Sequence, residues 1–206
     1  MRHAILIASF LLFAAPFVRA EGPPLFQAAG HAGYRAGGGL EDSANGDDRD
    51  LDEGAGFAVA LEMRYAKGDD RYFQLWYSRQ ESEVDDGADQ RDVDIEYLHL
   101  GGTVPFGNHE RIDPYFAAGI GATRFSSPEP GASDRTHFSG SMAVGFAVPL
   151  AERVALRFEL RSYLTAADTD SAIFCRSDDG SGFCRIVASG SSMFQAEALA
   201  GIALRF

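Results

Sequence analysis

The sequence predicts an all-β chain, an eight-stranded antiparallel up-and-down β-barrel that crosses a membrane on strands. Three observations predict it. The last residues, Phe194 to Phe206, alternate: Phe194, Ala196, Ala198, Ala200, Ile202, Leu204 and Phe206 form one apolar face, and Gln195, Glu197, Leu199, Gly201, Ala203 and Arg205 form a mixed polar one. Such period-two patterning marks a strand with unlike environments on its two sides. The chain opens like an exported protein, yet no later stretch is apolar over the ~20 residues that a membrane-crossing helix needs. Finally, eight alternating segments are joined by connections that are by turns long and short.

At the start, Arg2 and His3 precede an apolar run from Ala4 to Ala15, with Val18, Arg19 and Ala20 before Glu21. This has the form of a secretory signal peptide over residues 1–20. The run is short for a membrane anchor and Pro16 interrupts it, so removal ahead of Glu21 is expected, leaving residues 21–206 as one domain.

The strand segments run from Leu25 to Gly39, Ala55 to Ala66, Arg71 to Gln80, Val93 to Val104, Asp113 to Phe125, Thr136 to Leu150, Val154 to Ala166 and Ser192 to Phe206. In the second, Phe57, Val59, Leu61, Met63 and Tyr65 oppose Glu62 and Arg64; in the seventh, Val154, Leu156, Phe158, Leu160 and Leu164 oppose Arg157, Glu159 and Arg161. In the fourth, Val93, Ile95 and Tyr97 are expected on the apolar outside and Asp94 and Glu96 inside. A water-soluble barrel could use the same alternation inside out. Against that, Tyr34, Tyr65, Phe73, Tyr77, Phe116, Phe138, Phe146 and Phe194 cluster near strand ends on the apolar face, with small Ala28, Ala32, Ala118, Ala198 and Ala200 between them. That arrangement matches aromatic girdles around an apolar band.

The connections are long from Leu40 to Gly54, short at Lys67 to Asp70, long from Glu81 to Asp92, and middling from Pro105 to Ile112. Then come a longer one from Ser126 to Arg135, a very short one at Ala151 to Arg153, and the longest from Ala167 to Ser191. Membrane barrels carry short turns on one side and long loops on the other.

Several stretches resemble one family. Asp113-Pro-Tyr-Phe-Ala-Ala-Gly-Ile-Gly-Ala is similar to the PYxxxGxG strand of small bacterial outer-membrane barrels of the OmpA transmembrane-domain, OmpX and OmpW kind. Arg157-Phe-Glu-Leu-Arg-Ser-Tyr resembles their inward-charged strand, and Phe206 resembles the C-terminal aromatic read by the barrel assembly machinery. The resemblance implies a bacterial outer-membrane location, both termini and the short turns in the periplasm, and long loops outside. It carries fold more than activity. No peptidoglycan-binding domain is expected after the barrel.

An eight-stranded barrel has an interior about wide enough for side chains, and charge buried there must be paired and hydrogen-bonded. Arg35, Glu62, Arg64, Asp94, Glu96, Arg157, Glu159, Arg161 and Glu197 are the expected lumen charge network, with His31, Gln74 and Arg205 also pointing inward. They read as a polar plug, the rival being a selectivity site in a narrow pore.

In the longest loop, Phe174-Cys175-Arg176 and Phe183-Cys184-Arg185 flank Ser177-Asp178-Asp179-Gly180-Ser181-Gly182. The repeated triplets suggest a hairpin with facing arms, and in an oxidising compartment the pair Cys175 and Cys184 is expected as a disulfide. Asp48, Asp50 and Asp52 have the spacing of the opening ligands of a calcium loop, but the glycine is misplaced and Val59 stands where the bidentate Glu belongs. They read as a solvated acidic face, with Mg²⁺ or Ca²⁺ bridging to lipopolysaccharide phosphates left open. His137 and Ser139 share the spacing of the His-x-Ser of outer-membrane lipid A deacylases. A nucleophilic serine needs a base and an orienting carboxylate, and the next acid, Glu152, falls at the opposite rim.

The formal net charge of -12 argues against nucleic acid, whose phosphates need basic partners. No catalytic residue, cofactor or metal ligand is predicted. The expected role is non-enzymatic: envelope integrity or surface interaction through acidic extracellular loops, with outer-membrane lipids, lipopolysaccharide, the assembly machinery and an extracellular ligand as partners. The alternatives are a passive pore for small or hydrophobic solutes and, more remotely, a lipid A-modifying hydrolase.

Overall fold

Aliphatic and aromatic residues at every second position favour extended chain over helix, and extended chain in a bilayer must close on itself to pair its edges. The computed structural model describes residues 24–42, 48–50, 53–85, 90–107, 112–126, 134–166, 172–178, 181–188 and 192–206. The leader expected over residues 1–20 lies outside them. Among the described residues twelve strands occur: β1 (Phe26–Ala36), β2 (Gly39–Asp42), β3 (Asp48–Asp50), β4 (Gly54–Arg64), β5 (Tyr72–Asp85), β6 (Gln90–Pro105), β7 (Asp113–Ser126), β8 (Arg135–Ala151), β9 (Val154–Ala166), β10 (Ala172–Asp178), β11 (Ser181–Ala188) and β12 (Ser192–Arg205). Eight close into an antiparallel barrel in the order β1-β12-β9-β8-β7-β6-β5-β4. Among the described residues no helix is long and apolar enough to cross a membrane.

The register fixes the shape. Stepping across hydrogen-bonded partners from Phe26 leads through Met63, Phe73, Gly102, Ala118, Met142, Ser162 and Ala196 back to β1 at Ala36, ten residues further on. With about 3.3 Å per residue and about 4.7 Å between strands, that stagger tilts the strands by about 40°. Phe194 and Phe206 then stand about 30 Å apart along the axis, which suits girdles bordering an apolar band of about 25 Å.

The outside is that band. Val59, Leu61, Met63, Leu75, Leu98, Leu100, Ile120, Met142, Val144, Leu160 and Ile202 face outward, rimmed by Tyr34, Phe57, Phe138 and Phe194 toward the long loops and by Phe26, Tyr65, Phe146 and Phe206 toward the short turns. At the seam, the terminal Phe206 donates its N–H to Phe26 O at 2.8 Å and accepts from Phe26 N at 3.3 Å, extending the ladder to the last residue. The β4–β5 turn is tied internally. Tyr65 N bonds Arg71 O, Gly68 takes a φ of 84°, and Arg71 forks onto Asp69. Those hydrogen bonds from Arg71 hold the Asp69 carboxyl down to about 2.

Two regions depart from the sequence reading. The hairpin with facing arms read in the Ala167 to Ser191 connection is present as β10 and β11, but it does not stand alone: β2 and β3 from the Leu40 to Gly54 connection join it in a separate four-stranded sheet of order β10-β11-β2-β3. The first and last loops meet because β1 and β12 are barrel neighbours, and β11 pairs β2 through Ile186 with Asp42, Val187 with Glu41 and Ala188 with Leu40. The faces of β6 are also the reverse of those expected. Val93, Ile95 and Tyr97 are buried inside, and Asp94 and Glu96 lie on the outer surface. This end of the strand rises above the apolar band, where water bathes the outside, so polarity inverts along one strand while the pleat continues: Leu98 and Leu100 below face out and His99 faces in.

Candidate functional site

The lumen gathers the polar side chains, and alternation puts them there. Glu62 on β4 is met from four strands: Arg157 Nη1 lies 2.8 Å away, Thr103 Oγ1 donates at 2.7 Å, Gln74 Nε2 at 2.8 Å, and Gln27 Nε2 also donates. Arg157 in turn donates to the Tyr115 hydroxyl at 3.1 Å, 4.3 Å from the centre of its ring.

Above this lies a second pair. Glu159 accepts from Arg161 Nε at 2.7 Å and from Tyr115 Oη at 2.8 Å. Arg161 spreads its other nitrogens to Ser141 at 2.9 Å and Gln74 Oε1 at 3.1 Å, and lies 3.8 Å over the Trp76 ring. A third pair sits nearer the loops: Arg35 Nη2 is 3.1 Å from Glu197 Oε2 and also donates to Ser78. Tyr163 Oη donates to the same Glu197 oxygen at 2.7 Å and accepts from Trp76 Nε1 at 3.0 Å. Beyond it Thr123 and Thr165 bond at 2.8 Å, and Val93, Ile95, Phe125 and Met193 belong to a buried apolar cluster. The six charged partners are each 4 % exposed or less, and of the six only Arg157 borders the opening at the turn end.

Glycines make room for this filling. His31, His99 and Tyr115 stand directly across from Gly201, Gly121 and Gly145. A Cβ at Gly145 would come 2.6 Å from the Tyr115 ring, and one at Gly201 would come 2.6 Å from His31 Cδ2.

Of the residues expected in the network, Arg35, Glu62, Arg157, Glu159, Arg161 and Glu197 form these three pairs. Asp94 and Glu96 do not belong to it. On the outer surface Asp94 pairs with Arg79 at 3.0 Å, while Glu96 pairs with Arg124 at 3.3 Å and accepts from Tyr77 Oη at 2.7 Å. Arg64 is inside but near the turn end, bonded to Pro24 O and Tyr72 Oη. Trp76, His99, Tyr115, Ser141 and Tyr163 were not anticipated. Their signal was parity, since each shares its strand's inward side with Gln74, Thr103, Ala117, Ser139 or Arg161.

Ser139 meets a different histidine from the one its spacing suggested. Its Oγ lies 2.8 Å from His99 Nε2, and His99 Nδ1 is occupied by Ser141 Oγ at 2.9 Å, where a triad would place a carboxylate. His137 instead sets its ring against Phe125 at 5.9 Å. Cys175 and Cys184 are register partners in the β10–β11 hairpin. Asp48 and Asp50 lie in β3, and Asp52 lies outside the described residues.

Among solved structures, the chain is similar to Neisserial surface protein A at 17% identity, covering 90% of this chain and 100% of that one with a TM-score of 0.60. It is likewise similar to the outer membrane protein AlkL, at 14% identity over 93% of this chain and 95% of that one with a TM-score of 0.56. For OprG from Pseudomonas aeruginosa the values are 12%, 90%, 98% and 0.54. At these identities the likeness is one of fold. The curated proteins give no match. A family model matches residues 4–179, and with the closed eight-stranded barrel it identifies the chain as a member of the outer membrane protein beta-barrel domain family.

Proposed function

We propose that the protein is a closed, non-enzymatic outer-membrane scaffold that serves envelope integrity or a surface contact, with its extracellular connections as the working part. The observation that carries this reading is the filled lumen, in which three ion pairs and their tyrosine, glutamine and serine partners span the bore below an apolar cluster. A water-filled conduit would need a continuous polar path, and nothing among the described lumen side chains favours one. Lipid A hydrolysis has no support either, because the serine nearest a histidine faces the lumen and lacks an orienting acid.

Strands β2, β3, β10 and β11 join the first and last extracellular connections into a single platform. Its sequence brings Glu41, Asp42, Asp48 and Asp50 together on adjacent strands, and Glu41 stands in register with Asp48. That acidic composition suits a cationic ligand or lipopolysaccharide bridged by divalent ions. The assembly machinery would read the terminal strand ending in Phe206.

The test is complementation. A strain lacking the protein is compared with strains carrying the full chain or a barrel whose β2–β3 and β10–β11 segments are replaced by short turns, and exclusion of a large hydrophobic antibiotic is measured. The full chain is expected to restore exclusion and the trimmed barrel to fail although inserted in the membrane. Full restoration by the trimmed barrel would remove the loops from the account.

A further inference from the structure

The turn end of the barrel opens into a vestibule of about 510 Å³, whose lining includes Arg64, Arg157 and Arg205 beside Asp70 and Asp113. Two of the arginines are engaged by carboxylates. Arg157 is committed to Glu62 at 2.8 Å, and Arg205 reaches Asp113 at 3.3 Å and Gln27 Oε1 at 3.2 Å. Arg64 differs. It is 7 % exposed, its Nε donates to Pro24 O at 3.1 Å, its Nη2 donates to Tyr72 Oη at 2.9 Å, and among the described residues no carboxylate reaches it. A guanidinium in the vestibule wall that is given only neutral acceptors, with no carboxylate in contact among the described residues, leaves its charge available to an incoming anion. Its planar fork matches a carboxylate or phosphate group.

We propose that this vestibule is a binding site for a small oxyanion presented from the periplasm, with Arg64 as its principal contact and Arg205 as a second cation at the rim. The two stand on the strands flanking β1, where Gln27 is in register with both Arg205 and Glu62, so their charges border one opening. Pro24, Pro105, Pro114 and the rings of Tyr72 and Tyr115 complete the wall. A surface of that composition favours an oxyanion carried on a small apolar body over a bare hydrated ion, and the volume is that of an ordinary small-molecule pocket.

The experiment is calorimetric titration of the folded barrel in detergent micelles with N-acetylalanine, phenyl phosphate and the neutral N-acetylalaninamide. At least one anion is expected to bind saturably and the amide not at all. Tighter binding of N-acetylalanine assigns the site to a peptide or amino-acid carboxylate, and tighter binding of phenyl phosphate assigns it to a phosphate monoester. Loss of a charge-assisted hydrogen bond corresponds to a weakening of about tenfold or more, the result expected for Arg64→Gln, with a smaller loss for Arg205→Gln and none for Arg124→Gln on the outer surface. Arg64→Lys, which keeps the charge without the fork, covers the case in which Arg64→Gln does not fold, and it too should bind more weakly than the wild type. Failure of both anions to bind the folded wild type, equal binding of the amide, or unchanged affinity in the folded Arg64 variants would overturn the proposal.

Discussion

Phe158 and Glu159 are consecutive in β9 yet meet opposite surroundings: Phe158 stacks on Phe146 at 5.2 Å on the outer face, and Glu159 receives Arg161 and Tyr115 inside the barrel. A shift of one residue in register would exchange them. If the outer face meets acyl chains, Phe158→Arg should destabilise by about 2 to 4 kcal/mol, as a cation within the apolar band does, and Phe158→Leu by far less. Urea unfolding of both variants in lipid vesicles measures the difference. Equal, small effects would mean that this face meets water or protein.

Glu159→Leu tests the inside. It leaves Arg161 without its carboxylate in a site where both partners are buried, and removing one member of such a pair costs about 3 to 5 kcal/mol. The double variant Glu159→Leu with Arg161→Met removes both charges and should recover most of that loss. Recovery is read from the same unfolding curves. A benign single variant would indicate that water reaches Arg161.

Cys175 and Cys184 should form an intramolecular disulfide, because they stand in register on adjacent antiparallel strands of an exported protein. The closed ring is short, so the bond should stabilise the hairpin by roughly 2 to 3 kcal/mol while leaving the barrel intact. Mass spectrometry of non-reduced peptides from cell envelopes decides it, and two free thiols there would refute the pairing.

The Asp69–Arg71 fork in the β4–β5 turn should outlast mild acid. Its carboxyl is depressed to about 2 from an ordinary value of 3.8. The tie is therefore fully present above that ordinary value and lost as pH falls through about 2. Titration of the Asp69 carboxyl carbon by NMR measures this. A midpoint near 4, unchanged by Arg71→Ala, would show that the fork does not form in solution.

The barrel strands were legible because lipid and lumen differ so sharply that parity alone sorts them. The Val154 to Ala166 segment read from sequence is the observed β9, with Arg157, Glu159 and Arg161 on one side. That same rule misplaced Asp94 and Glu96, since above the bilayer both faces of the wall change solvent and apolar Val93 and Ile95 belong inside. Which charges pair was not legible, because Glu62 meets Arg157 across the bore and Glu197 meets Arg35 through a stagger that only the closed ladder defines. Strands such as β3 (Asp48–Asp50) are too short to carry a period, and β3 pairs only with β2, which itself pairs with β11 from the other end of the chain.

The central claim is that the lumen is closed, and conductance tests it most directly. Purified, folded protein is inserted into planar bilayers at neutral pH and moderate salt. With three buried ion pairs and their hydrogen-bond partners filling the bore, and Val93, Ile95, Phe125 and Met193 buried beyond them, the wild type should give no steady channel. Reproducible, ion-selective conductance steps from the wild-type barrel would contradict the account and make the pore the better reading.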